Sequence, residues 1–149
     1  MNVSNAQGAG ESKVPGLPFQ SYRQWAEKIA PQVEAALAGG RSVPPPKQSL
    51  TEAWLIYALH RRDSPLSLED FLEMADDVNV GIPDADDVAW VFLRLRKRGW
   101  LAREGGVFAL TAESRRIIDG IVSVDVPRET ENVYRLNAWL AAHPLPGED

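Results

Sequence analysis

The residues of this chain able to do chemistry gather in two places. Arg94, Arg96, Lys97, Arg98 and Arg103 form its only dense cationic group. Cations at that density either neutralise phosphates along a nucleic-acid backbone or sit in solvent at the negative end of a helix dipole. Asp76-Asp77 and Asp84, Asp86, Asp87 form the acidic counterpart. Their spacing looks like a divalent-metal cluster, but the glycine-bearing loop with a terminal glutamate that calcium requires does not follow. Read as helix caps, the same carboxylates complement the positive end of a helix dipole.

Other chemistries are excluded more quickly. The 149 residues include no cysteine, which removes disulfides, thiolate catalysis, iron–sulfur clusters and cysteine-based zinc sites. The two histidines, His60 and His143, are too far apart in sequence for a local metal site, and His60 has no acid near it in sequence to orient it as a base. Gly8-Ala9-Gly10-Glu11-Ser12 lacks the lysine and the strand–helix setting of a phosphate loop and reads as linker. The expectation is a protein that is not an enzyme and uses no cofactor and no metal. No apolar run approaches the ~20 residues of a membrane span, and the start of the chain has no signal-peptide pattern, so the expected location is cytoplasmic. The net charge of −5 has no basic arm within it. Four basic residues face three acids from Met1 to Pro46, ten face thirteen from Lys47 to Gly120, and two face five from Ile121 onward.

The elements that must position these groups follow from periodicity. Residues 1–18, rich in Gly, Ser, Asn and Pro, read as a disordered leader. Phe19, Tyr22, Trp25, Ile29, Val33 and Leu37 recur every three or four positions and predict an amphipathic helical arm, kinked at Pro31 and closed by Gly39-Gly40. Val43-Pro44-Pro45-Pro46 is a stiff spacer that completes this 19–46 unit. In the main unit, 47–121, Ser49 with Glu52 has capping-box spacing and opens a largely buried helix ending near Arg62. Ser67 with Asp70 opens a second helix, after a short extended piece at Pro65-Leu66. Asp84 with Asp87 opens a third, which Gly99 stops after Arg98. Gly105-Gly106 joins two short strands as a two-residue hairpin, and Thr111 caps a fourth helix. Residues 122–149 carry a last helix with Val133, Leu136 and Leu140 on one side and Trp139 beside them. The expected core is Trp54, Tyr57, Phe71, Leu72, Val88, Phe92, Leu95, Leu101 and Leu110.

Three helices, a tight hairpin and a closing helix make a helix-turn-helix with a wing. At Leu95-Arg96-Lys97-Arg98-Gly99-Trp100-Leu101, through Arg103-Glu104-Gly105-Gly106-Val107-Phe108, to Leu110-Thr111-Ala112-Glu113, the chain resembles bacterial winged-helix regulators of the PadR and MarR kind, over about Leu50 to Ile121. The resemblance implies a mainly α fold: a three-helix core plus a two-stranded β-wing, with additional N- and C-terminal helices. It implies that Asp84 to Arg98 lies in a DNA major groove and that the Arg103 to Val107 wing lies near the backbone or minor groove. Arg94, Lys97, Arg98 and Arg103 would then be the nucleic-acid contacts. This sequence departs from that pattern in the leading turn of the third helix, where Asp84-Ala85-Asp86-Asp87 sets three carboxylates against phosphate.

A helical wheel of the third helix places Val88, Val91, Phe92 and Leu95 inward and Asp86, Ala89, Trp90, Leu93 and Lys97 outward. Outward Trp90 and Leu93 form an apolar patch of the kind that a partner, or another part of the same assembly, covers. The wide apolar faces of the terminal helices, including Trp25, Ile29, Val133, Leu136 and Leu140, predict a homodimer, since similar regulators pair through such helices. Two function classes stay open: a DNA-binding transcriptional regulator, and a non-enzymatic protein–protein interaction module that uses the Trp90/Leu93 face.

Overall fold

The computed structural model describes residues 21–79 and 81–146. Among them lie six helices and a small antiparallel sheet. The first helix, α1 (Tyr22–Leu37), starts at Ser21, whose Oγ accepts from the Gln24 N–H at 3.2 Å. It therefore begins later than the apolar periodicity suggests; Phe19 lies outside the described residues, as does the leader. Pro31 sits inside α1, and the helix closes in a turn where the Gly40 N–H donates to the Ala35 carbonyl at 2.8 Å.

Helix α2 (Thr51–His60) is the centre of the molecule: every residue from Ala53 to Leu59 is buried. The expected capping box is not formed. The helix starts one residue later than the box requires, so Leu50, which has no side-chain acceptor, occupies the cap position, and the Glu52 carboxylate turns to Arg94. The far end of α2 is capped from a distance by Arg115. Its Nη1 donates to the His60 carbonyl at 3.1 Å, and its Nη2 donates to the carbonyls of Leu59, also at 3.1 Å, and Arg62.

Strand β1 (Leu66–Ser67) leads directly into α3 (Leu68–Val78), where Ser67 Oγ accepts from the Asp70 N–H at 3.1 Å as its spacing predicts. Helix α4 (Ala85–Arg98) opens on Asp84, whose carboxylate accepts from the Asp87 N–H at 2.9 Å. It stops at Gly99, which has φ 76°, a conformation that a side chain disfavours. Strands β2 (Leu101–Glu104) and β3 (Val107–Leu110) pair from Leu101↔Leu110 to Glu104↔Val107 around Gly105, with φ 60°. The sheet has three strands in the order β1-β3-β2, where a two-stranded unit is expected. The third comes from the Pro65-Leu66 piece: Leu66 pairs with Phe108, and its side chain is buried. Helix α5 (Ala112–Asp119) is capped by Thr111, and α6 (Glu129–Ala142) closes the described chain.

Phe92 sits between Phe71, with ring centroids 5.3 Å apart, and Phe108, at 4.6 Å, so helices and sheet share one core. Of the nine expected core residues, eight are buried. Leu101 is half-buried because it lies on the outer strand. Both terminal helices fold back on their own chain, α1 across α3 and α4, and α6 against α2. Ile29, Val133, Leu136 and Leu140 are buried there, and half-buried Trp25 donates from Nε1 to the Pro83 carbonyl at 3.0 Å. These residues were expected to form an interface between subunits; the structure spends their apolar faces within one chain, which removes the surface argument for a homodimer. No helix among the described residues is long and apolar enough to cross a membrane.

Candidate interaction surface

The cations that are dense in sequence are dispersed in space. Successive residues of a helix differ by about 100° around its axis, so Arg94, Arg96 and Arg98 leave α4 in different directions. Arg94 turns to α2, where its Nε lies 2.8 Å from a Glu52 carboxylate oxygen with both side chains only 14% exposed. Its guanidinium also covers the Trp90 ring, 4.5 Å from the centroid. Arg96 donates to the Leu37 carbonyl at the end of α1, at 3.0 Å. Arg98 donates to the His143 carbonyl past the end of α6, at 2.9 Å, and lies over Trp100. Behind it Trp100 packs at a tilt on Trp139, which stacks on His143. Arg103, on β2, pairs with Glu34 of α1 and lies over the Phe108 ring. Lys97 is exposed and makes no ion pair among the described residues.

The outward face of α4 is narrower than the wheel predicts. Asp86 and Lys97 point outward as expected, and Trp90 and Leu93 are half-buried against the core. Ala89, also expected outward, is fully buried. It shares a stripe of the helix with Ala85 and Arg96, the stripe on which the Arg96 bond to Leu37 shows α1 to lie.

The leading turn of α4 is partly covered: Asp84 is exposed, and Asp86 and Asp87 are half-buried. Arg41, just beyond α1, holds Asp86 at 2.8 Å, and the proline spacer runs alongside. Pro44, Pro45, Pro46, Lys47 and Gln48 line a cavity of about 280 Å³ with Asp84, Asp86 and Asp87. Burial, followed by the charges of Asp84 and Asp86, pushes the Asp87 carboxyl above its ordinary value. The leading turn thus faces the chain's own spacer across this cavity and is negatively charged.

A second polar cluster lies between α2 and α6. His60, with no acid near it in sequence, bonds through Nε2 to Asp119 of α5, 59 positions away, at 2.7 Å. The buried Tyr57 hydroxyl donates to Glu129 and accepts from the Asn132 amide, each at 3.1 Å. Burial is the main cause that raises the Tyr57 phenol above its ordinary value, with the Glu129 charge adding to it and the Asn132 bond opposing it. Asn132 also pairs with both the N–H and the carbonyl of Ser123, at 2.9 Å each, so it pins the loop before α6. The partners Glu34, Arg41, Glu52, Asp119 and Glu129 carry no local signal in the sequence. Each meets its oppositely charged or ring partner from 42 or more positions away.

No family model matches the chain, and neither the curated proteins nor the solved structures include a match to it.

Proposed function

We propose that this chain is a winged helix that works by binding another protein, in place of DNA. The element order from α2 to β3, with β1 added to the hairpin, supports the winged-helix reading. The observation that carries the functional reading is the enclosure of α4. Arg94 and Arg103 are committed to Glu52 and Glu34, Arg41 is paired with Asp86 on the first turn, and the proline spacer faces that turn across a cavity. A major-groove reader needs that turn open and those cations directed outward. What remains outward, half-buried Trp90 and Leu93 beside exposed Lys97, has the mixed apolar and charged character of a protein contact.

The test is a titration of random-sequence duplex DNA at about 50 mM salt, where a specific reader keeps measurable non-specific affinity. The expected result is no binding. A DNA-binding regulator, the reading that the sequence resemblance favours, predicts binding there. It also predicts that an Arg94→Ala, Arg103→Ala double variant flattens the slope of log affinity against log salt by about 1.8. That result would overturn the protein-partner reading.

A further inference from the structure

The start of α2, the segment before α4 and the first turn of α4 border an open cavity of about 390 Å³. Leu50, Trp54, Ile82 and Pro83 give it apolar walls, and Asp87 is its only charged lining residue among those described. The walls are held in place: the Trp54 indole donates to the Ala75 carbonyl at 2.7 Å, and the Pro83 carbonyl accepts from the Trp25 indole at 3.0 Å. Leu50 and Ile82 are half-buried, so apolar surface at the mouth stays within reach of an incoming side chain. Gln48 and Asp87 also line the neighbouring spacer cavity, so the two spaces share an edge. Trp90 is three residues beyond Asp87 on α4 and therefore lies on the same side of that helix.

Asp87 differs from the carboxylates around it. Glu52, Asp76, Asp86 and Glu129 are also half-buried, and each faces a cation or a donor: Arg94, Tyr22, Arg41 and Arg61 respectively. Asp87 makes no ion pair among the described residues. Lys47, across the spacer cavity, is exposed and stays beyond ion-pair distance. Burial and the charges of Asp84 and Asp86 both disfavour the ionised Asp87 carboxylate, a cost that an arriving cation relieves. We propose that this cavity receives an apolar side chain of a partner protein, and that an adjoining lysine or arginine of the same segment pairs with Asp87. The inference rests on the reading of the chain as a protein-interaction module, and adds where the partner anchors and which residue types it brings. Charge complementarity commits the occupant to a basic segment, because an acidic one would set a further negative charge beside Asp84, Asp86 and Asp87.

The probes are two capped peptides, Gly-Leu-Lys-Gly and Gly-Leu-Glu-Gly, titrated onto the full chain and followed by the NMR shifts of its amide and indole N–H groups. The lysine peptide should shift Leu50, Thr51, Ile82, Asp87 and the Trp54 indole with a midpoint in the millimolar range, and the glutamate peptide should bind more weakly. Asp87→Asn should raise the lysine-peptide midpoint by about threefold to fivefold, the effect of one partly exposed ion pair. This change keeps the side-chain shape and the backbone N–H that Asp84 caps, so the variant stays folded. Asp125→Asn makes the same charge change in the loop by the opposite end of α2 and should leave the midpoint where it was. No shift with either peptide, equal shifts with both, or a midpoint indifferent to Asp87→Asn would overturn the proposal. Lysine-peptide shifts confined to Trp90, Leu93 and Lys97 would also overturn it, while keeping the protein-contact reading. Random-sequence duplex DNA is titrated in parallel, and its binding would overturn both.

Discussion

Arg115 and Arg116 are neighbours that no feature of the sequence tells apart, and the structure assigns them very different energetics. The Arg115 side chain is 18% exposed and donates to the carbonyls of Leu59, His60 and Arg62. These belong to the end of α2, where carbonyls have no partner within the helix. Its contact with Asp63, at 3.8 Å, involves a fully exposed carboxylate and contributes little. Arg115→Met removes the charge-assisted bonds and the cation at the helix C-terminus. A bond of that type is worth about 1.5–3 kcal/mol, and the dipole adds about 0.3–1 kcal/mol. Water replaces part of what is lost at a surface-proximal site, so the net expectation is about 2–3 kcal/mol. Urea unfolding followed by tryptophan fluorescence should show that loss as a lower midpoint at unchanged slope. Arg116→Met, at an exposed position, should change stability by less than about 0.5 kcal/mol. Arg115→Lys should recover only the dipole part, about 1 kcal/mol at most, because an ammonium cannot fork across several carbonyls. A methionine variant within about 0.5 kcal/mol of the parent, or full recovery by lysine, would refute the capping argument.

Three further outcomes follow from the same structure. Glu52→Gln, which removes the carboxylate that pairs with the enclosed Arg94, should cost about 1–3 kcal/mol by urea unfolding; Glu52→Leu combined with Arg94→Met should cost less than the sum of the two single changes, and an additive double variant would contradict the pairing. Asp87 has a raised folded-state pKa, so its ionisation weakens the fold at neutral pH, and this cost disappears as pH falls through the folded value toward 3.8. Asp87→Asn should therefore be more stable than the parent at pH 7 and equal to it below the ordinary aspartate value; a variant equally or less stable at pH 7 would reverse the sign. Light scattering at tens of micromolar should return the 16.5 kDa monomer, since the terminal apolar faces are already covered, and a stable dimer mass would show that another surface pairs.

What was legible in the sequence was what is local. Ser67, Asp84 and Thr111 cap their helices because a cap needs only a side chain and an N–H three positions on. Ser49 has the same spacing and fails, because the helix begins one residue later with Leu50 at its cap, and Glu52 pairs with Arg94, 42 positions away. Strand β1 is two residues long, too short to show a period, and exists only because Phe108 lies opposite Leu66. The wheel of α4 found the inward face but placed Ala89 outward. An alanine carries no preference strong enough to announce the small-residue contact with α1. The terminal helices were read as amphipathic faces between subunits, whereas Ile29, Val133, Leu136 and Leu140 are already buried within one chain, since periodicity tells that a face is covered and not by what.

The arginines of α4 also set a rule about length. Arg94, Arg96 and Arg98 each anchor the helix to a different neighbour: α2, the end of α1, and the segment after α6. One residue inserted between Arg94 and Arg96 would turn everything downstream by about 100° and advance it by about 1.5 Å. Arg94 would still find Glu52, whereas Arg96 and Arg98 would both miss their carbonyls. Helix α4 therefore behaves like a key cut for three tumblers. Its sequence can vary at many places, but its count of residues across this span cannot, whereas the chain between α1 and α2 has no such constraint.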